Sequence, residues 1–183
     1  LVSPVYIGMG LTAGHLIFGL SIFATHLSWR DAWAHFFDFG AIWNFTMGSP
    51  SVLTRFIGVA FAEELIWRVV GQTLAIELLG RAMQSPEAAV LAIVLVAAAF
   101  VVIHNHFFEN TWHVSLEFIA FSVLIGALYF WTQSFVMVIV IHALRDIEIA
   151  YLEYLEKVEE FGDEAQAMHA IDQAYRTQRL EKT

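Results

Sequence analysis

From Ala88 to Ile103 the chain carries only aliphatic residues and one phenylalanine, with no charged or hydrogen-bonding side chain. Such a run is either enclosed in a large core or faces lipid as a helix, which satisfies its own backbone groups. The rest of the chain decides between these. Hydrophobic residues make up 58% of the 183, and mean hydropathy is +0.64. Counted with the 11 glycines and without the 5 tyrosines, the fraction rises further above the roughly 45–50% of an average soluble domain. Too little polar surface remains to wrap a soluble globule of this length, which excludes an ordinary soluble enzyme and a disordered chain. The sequence reads as an integral membrane protein.

Charge sharpens that reading. There are 18 acidic and 9 basic residues, net −9, and half of the acids lie from Ile147 onward. Each charge left in the apolar part needs a reason, because an ion at bilayer depth is costly and marks function. An acidic chain without a basic stripe argues against nucleic-acid binding. Cysteine is absent, so neither a disulfide framework nor a thiol nucleophile is available. The sequence opens on Leu1 rather than Met, so the natural N-terminus is expected upstream; nothing basic precedes the first apolar stretch, and no cleavable signal peptide is read there.

Five spanning helices are predicted. The first covers Val5 to Ala24, where Gly8, Gly10, Gly14 and Gly19 permit close helix approach. His15 within it reads as a hydrogen-bonded packing residue. From Trp29 to Met47, aromatic residues interleave with Arg30, Asp31, Asp38 and Asn44, the mixture of an interfacial belt. A second helix follows from about Val52 to Leu79, with Ser51 as N-cap. After a turn at Gly80–Pro86 comes a third, Glu87 to His104, then a short wet loop, Asn105 to Thr111. The fourth and fifth helices, about Trp112–Trp131 and Phe135–Ala150, are joined by a turn at Thr132-Gln133-Ser134. The fold expected is an all-α polytopic domain, residues 1–150 with a motif core at 51–150. An acidic, solvent-exposed amphipathic helical tail follows at 151–183.

Ionisable groups interrupt these apolar helices at Glu63, Glu64, Arg68, His104 and His142, with Asp146 near a helix end. Glu64 and Arg68 stand four apart and can pair on one face, as can His142 and Asp146. Glu63 is turned about 100° from Glu64. It has no such partner, so its carboxylate is available as a base. Threading five helices back and forth places Glu63 about 16 Å from the start of its helix and His142 about 12 Å from the end of its own, at 1.5 Å per residue. His104 ends the third helix on the same side of the membrane. All motif groups therefore fall in one half of the bilayer, and the chemistry they support is activation of water. A carboxylate removes the proton, one histidine positions the water, and another donates to the developing oxyanion. No G-x-S-x-G elbow is present.

Glu63-Glu64-Leu65-Ile66-Trp67-Arg68 fits EExxxR, Phe100-Val101-Val102-Ile103-His104 fits FxxxH, and His142-Ala143-Leu144-Arg145-Asp146 fits HxxxN/D. In this order on successive membrane helices, the three motifs resemble the CAAX-protease and bacteriocin-processing family of intramembrane glutamic proteases. The resemblance covers about Ser51 to Ala150. It implies an endopeptidase in which Glu63 activates water with the help of His104. Glu64 and Arg68 would complete the first motif, Arg68 holding a carboxylate, and His142 with residue 146 would form the oxyanion side. Asp146 stands where Asn is common, and a charged Asp cannot donate to an oxyanion. Either it carries a proton or it only orients His142. The family does not require a prenylated substrate, so CAAX cleavage itself is not inferred.

Other readings compete. A buried Glu64–Arg68 pair is also what helix packing alone produces. His104, His106, His142 and Glu63 are types that bind zinc, which would make a zinc-dependent membrane hydrolase, although HExxH is absent. A non-catalytic accessory subunit of a membrane complex, ligating haem or pigment through His15 or His142, is the third reading. The leading one needs no cofactor and no metal. Its partners are membrane lipid and a peptide or protein substrate. Arg30, Arg55, Lys157, Arg176, Arg179 and Lys182 on the motif side, against Arg81 opposite, make that side cytoplasmic. A bacterial inner membrane is expected from the breadth of the family.

Overall fold

Long apolar runs separated by short polar breaks become helices in a computed structural model, which describes residues 3–24, 29–104 and 112–180. Among the described residues there is no strand. α1 spans Pro4–Ala24, and the aromatic-rich segment forms two short helices, α2 (Trp29–Phe36) and α3 (Phe39–Gly48). α4 (Pro50–Glu64) continues through a π-helical stretch, Leu65–Gln72, into α5 (Thr73–Gly80). α6 (Ser85–Ile103), α7 (Trp112–Thr132), α8 (Phe135–Phe161) and α9 (Glu164–Leu180) complete the chain. The loop expected at Asn105–Thr111, with His106, lies outside the described residues.

Two of these helices, Ser85–Ile103 and Val114–Thr132, are long and apolar enough to cross a membrane by length and composition. The helix expected at Val52–Leu79, with Glu63, Glu64 and Arg68 on it, changes to π winding just after the glutamates. The expected fifth helix does not stop at Ala150 but runs on to Phe161, with His142, Arg145, Asp146 and Glu148 along it.

α8 is the axis of the fold. Close approach of α1 requires glycine at two places: a Cβ on Gly10 would lie 2.9 Å from Val140 Cβ, and one on Gly14 would lie 3.2 Å from Ile141 Cα. Around the α1–α8 contact sit two apolar clusters. One packs Ile17, Phe100, Phe118, Phe121, Met137 and Ile141, joining α1, α6, α7 and α8. The other packs Phe18, Ile42, Phe45, Val52, Tyr151 and Ile171, joining α1, α3, α4, α8 and α9.

That second cluster corrects the view of the tail. α8 ends at Gly162, whose φ of 66° is the left-handed conformation favoured by glycine at a helix terminus. Asp163 then accepts from the Gln166 amide to start α9. α9 is amphipathic as expected, but its apolar face docks on the chain itself rather than on solvent, with Ala167 and Ile171 buried. It also supplies a cap. Ser49, not Ser51, is the N-cap residue of α4 and makes no side-chain capping bond. The Ser51 amide donates instead to Asp172 Oδ1 at 2.8 Å. Tyr175 donates to Glu153 Oε2 at 2.8 Å and lies under the Arg55 guanidinium. In the aromatic segment Trp33, Phe37, Phe39 and Trp43 are exposed, whereas Ile42 and Phe45 turn inward.

Candidate active site

The π-helical stretch sets the geometry of the first motif. Wider winding of this kind is rare and concentrates at functional sites. Glu64, Arg68 and Gln72 all turn inward and are fully buried. Gln72 Nε2 donates to the Gly126 carbonyl at 2.9 Å, and a Cβ on Gly126 would come within 2.9 Å of Gln72 Oε1. That contact ties the π segment to α7. Arg68 Nε faces Glu64 Oε2 at 3.3 Å, an ion pair without hydrogen-bond alignment, and Nη2 donates to the Ser122 hydroxyl at 3.3 Å. The guanidinium sits 5.1 Å from the centre of the Phe100 ring. A buried charge is tolerated because a carboxylate and a π face meet it.

Glu64 spends its other oxygen on the last motif. His142 Nδ1 donates to Glu64 Oε1 at 2.7 Å. Nε2 of the same ring faces Asp146 Oδ2 at 3.4 Å and Glu63 Oε2 at 3.7 Å. With carboxylate oxygens on both edges, the ring can donate from both nitrogens only when each carries a proton. Phe121 packs edge-on against it at 5.4 Å.

His104 closes the opposite side. It stands at the C-cap of α6, where its Nδ1 donates to the Phe100 carbonyl at 2.7 Å. A carbonyl only accepts, so that nitrogen bears the proton, and Nε2 is turned toward Glu63 Oε1 at 3.4 Å. Phe100 is wholly buried, stacks on Phe118 and meets Trp67 edge-on, so it shapes the wall that carries this carbonyl.

The structure thus brings together all six residues singled out by spacing, from α4, the π segment, α6 and α8. Their exposure is graded. The side chains of Glu63 and His104 are 26% and 27% exposed, whereas those of Glu64, Arg68 and His142 are at 0–4%. Glu63 is the carboxylate that solvent and a ligand can reach, while Glu64 is sealed beneath it.

Sequence spacing missed a second layer. Glu117 on α7 takes Arg145 by a two-pronged contact, Nε at 3.0 Å and Nη2 at 2.6 Å, and Arg145 Nη1 donates to Asp146 Oδ1 at 3.1 Å. Ser21 on α1 donates to Glu117 Oε1 at 2.7 Å. The signal was present: an acid within an apolar helix is as expensive at Glu117 as at Glu63.

The competing readings meet specific obstacles. Among the described residues no group of three or more histidine, aspartate or glutamate side chains is arranged to hold a metal ion. His15 has Nδ1 2.6 Å from Glu148 Oε1 and Nε2 2.8 Å from the Phe36 carbonyl, so both of its nitrogens are occupied, whereas in His142 only Nδ1 is held at hydrogen-bond distance. An axial ligand needs one nitrogen open to iron or magnesium. A groove of about 820 Å³ lies between α1, α3, α4 and α8. Its walls include Ala143, Leu144, Ile147 and Glu148, the face of α8 opposite His142, Arg145 and Asp146, so it is separate from the cluster.

Over residues 45–147, more than half its length, the chain matches the family described as type II CAAX prenyl endopeptidase Rce1-like. The chain belongs to that family. No curated protein and no solved structure matches it. The Rce1-like family is one of membrane-embedded proteases, in keeping with the two helices apolar and long enough to cross a bilayer. The matched span contains Glu63, Glu64, Arg68, His104, His142 and Asp146, and also Glu117 and Arg145.

Proposed function

We propose that the chain is an endopeptidase that hydrolyses a peptide bond within the membrane, with Glu63 as general base. The observation that carries this reading is the position of one partly exposed carboxylate between two imidazoles, 3.4 Å from His104 and 3.7 Å from His142. A water held by Glu63 Oε1 and His104 Nε2 gives its proton to Glu63 while its oxygen attacks the scissile carbonyl carbon. The carbonyl oxygen becomes an oxyanion and accepts from His142 Nε2–H. On collapse the C–N bond breaks, and Glu63 returns the proton to the leaving amine. Glu64 and Arg68 hold His142 from below. Asp146 orients the same ring as an acceptor, because Arg145 faces its other oxygen.

In this reading α1, the continuous α4–π–α5 helix, α6, α7 and the first part of α8 are five membrane crossings. Three of them carry buried charged side chains: Glu64 and Arg68 on the second, Glu117 on α7, and Arg145 and Glu148 on α8. The substrate is a peptide or protein reached from the side of α2 and α3, and the membrane is a bacterial inner one. The chain has no native cysteine, so single introduced cysteines report each crossing by labelling from either side.

The test of activity uses the purified protein in lipid nanodiscs with an internally quenched peptide ending in a farnesylated Cys-aliphatic-aliphatic-X sequence, the substrate class that the description of the matched family names. Cleavage by the natural sequence, lost in Glu63→Gln and His104→Ala proteins that still melt cooperatively, is the expected result. Full turnover by a folded Glu63→Gln protein would remove the assigned base.

A further inference from the structure

We propose that Glu117 and Arg145 form a positioning pair that presents Asp146 to His142 as a fixed acceptor. The proposal rests on the endopeptidase reading above and deepens it. Asp146 has two oxygens with different duties: Oδ2 faces His142 Nε2 at 3.4 Å, and Oδ1 accepts from Arg145 Nη1 at 3.1 Å. Its orientation is therefore set by where Arg145 is held. Arg145 is held firmly. Its remaining donors grip Glu117 at 3.0 and 2.6 Å, and its guanidinium carbon lies 4.5 Å from the Phe121 ring centre and 5.5 Å from that of Phe118. A planar fork bound to a carboxylate and stacked on aromatic faces fixes direction as well as charge, which a lysine does not. Glu117 is anchored in turn by the Ser21 hydroxyl at 2.7 Å, so the chain of contacts runs from α1 through α7 and α8 to the reactive imidazole.

The pair also bears on the role of Asp146. A guanidinium on one oxygen and an imidazole on the other make Asp146 an acceptor on both sides, so it directs a donor rather than acting as one. The oxyanion donor is then His142 Nε2–H itself. Its long contacts to Asp146 and Glu63 leave it room to turn toward a substrate oxygen. Phe118, Phe121 and Arg145 are one stacked unit, so a shift of Arg145 is transmitted to Asp146 with little slack.

The experiment compares Arg145→Gln, the neutral pair Glu117→Gln/Arg145→Gln, and each of these combined with Asp146→Asn, all in nanodiscs. The neutral pair guards against loss of folding, because it leaves no lone buried charge. Kinetics on the farnesylated quenched peptide should show kcat down about 100-fold with KM within about 2-fold, the mark of a misplaced group. In the Asp146→Asn background the same changes should cost almost nothing more. A loss of equal size in both backgrounds, or a rise in KM alone, would overturn the proposal, since a purely structural pair acts without regard to residue 146. A second measurement needs no turnover. Ring-nitrogen NMR of histidine-labelled protein, with His142 assigned by His142→Gln, should show its Nε2 signal moved by Arg145→Gln and by the neutral pair as far as by Asp146→Asn. An unmoved signal would overturn the proposal. A moved signal in a protein that cleaves nothing would retain the positioning pair and reject the endopeptidase.

Discussion

α8 carries a histidine–carboxylate cluster on each of two opposite faces, and they are built differently. On one face Glu148 holds His15, whose second nitrogen is taken by the Phe36 carbonyl. Every ring contact there is to a group of the chain, and none faces a partly exposed acid. On the other face His142 is held from below by Glu64 and from the side by Asp146, and beyond it Glu63 stands partly open to the outside. Burial and pairing alone do not mark a reactive site, since both clusters have them. The difference lies in one carboxylate that is placed but not consumed.

The sharpest way to break this comparison is to change one side chain of each cluster. Glu63→Gln should lower kcat by about 10²–10⁴, the range for removal of a general base, while His15→Gln leaves turnover unchanged. Peptide hydrolysis in nanodiscs measures both, and equal losses would erase the distinction. Next in size is the scaffold shared by the two faces. Gly14→Leu would drive a side chain into the Ile141 backbone and should destabilise the fold by about 3 kcal/mol, the upper range for overpacking, seen as a lower thermal midpoint in detergent. Glu148→Gln keeps an oxygen toward His15 and should cost about 1 kcal/mol with kcat intact. A large kcat loss there would mean the two clusters communicate through α8.

At the docked C-terminal helix the expected effects are smaller. Asp172→Ala removes the side chain that receives the Ser51 amide and should cost about 1 kcal/mol, read as easier proteolytic release of α9. Burial first, and the Glu153 carboxylate beside it, raise the phenol of Tyr175 above its ordinary value. A raised phenol favours the folded state's neutral form, so the tail's docking is whole below about pH 10 and weakens above it. Tyr175→Phe should abolish that alkaline step in a pH series of α9 proteolysis.

Much of the site was legible before any coordinates, for a physical reason. Charges in apolar helices are expensive, so Glu63, Glu64, Arg68, His104, His142 and Asp146 stood out by their surroundings, and four-residue spacing paired two sets of them correctly. The same cost applied to Glu117, yet Arg145, its partner, lies 28 positions away on another helix, and no helical periodicity links them. His15 was legible as a bonded packing residue but not its partner Glu148, 133 positions distant. The π winding at Leu65–Gln72 was equally hidden, and so was the bond from Gln72 at its end to the Gly126 carbonyl, 54 positions away on another helix.

By itself the sequence determined that this chain is helical, that it is too apolar for water, and which polar groups could not be there by accident. These follow from local periodicity and from the price of burying charge, which each residue carries wherever it folds. That Glu64 reaches across to His142, that α9 returns to cap α4, and that Arg145 connects Asp146 to Glu117 were decided by tertiary structure alone. They depend on the directions in which separate helices meet, and packing sets those directions only when the whole bundle is assembled.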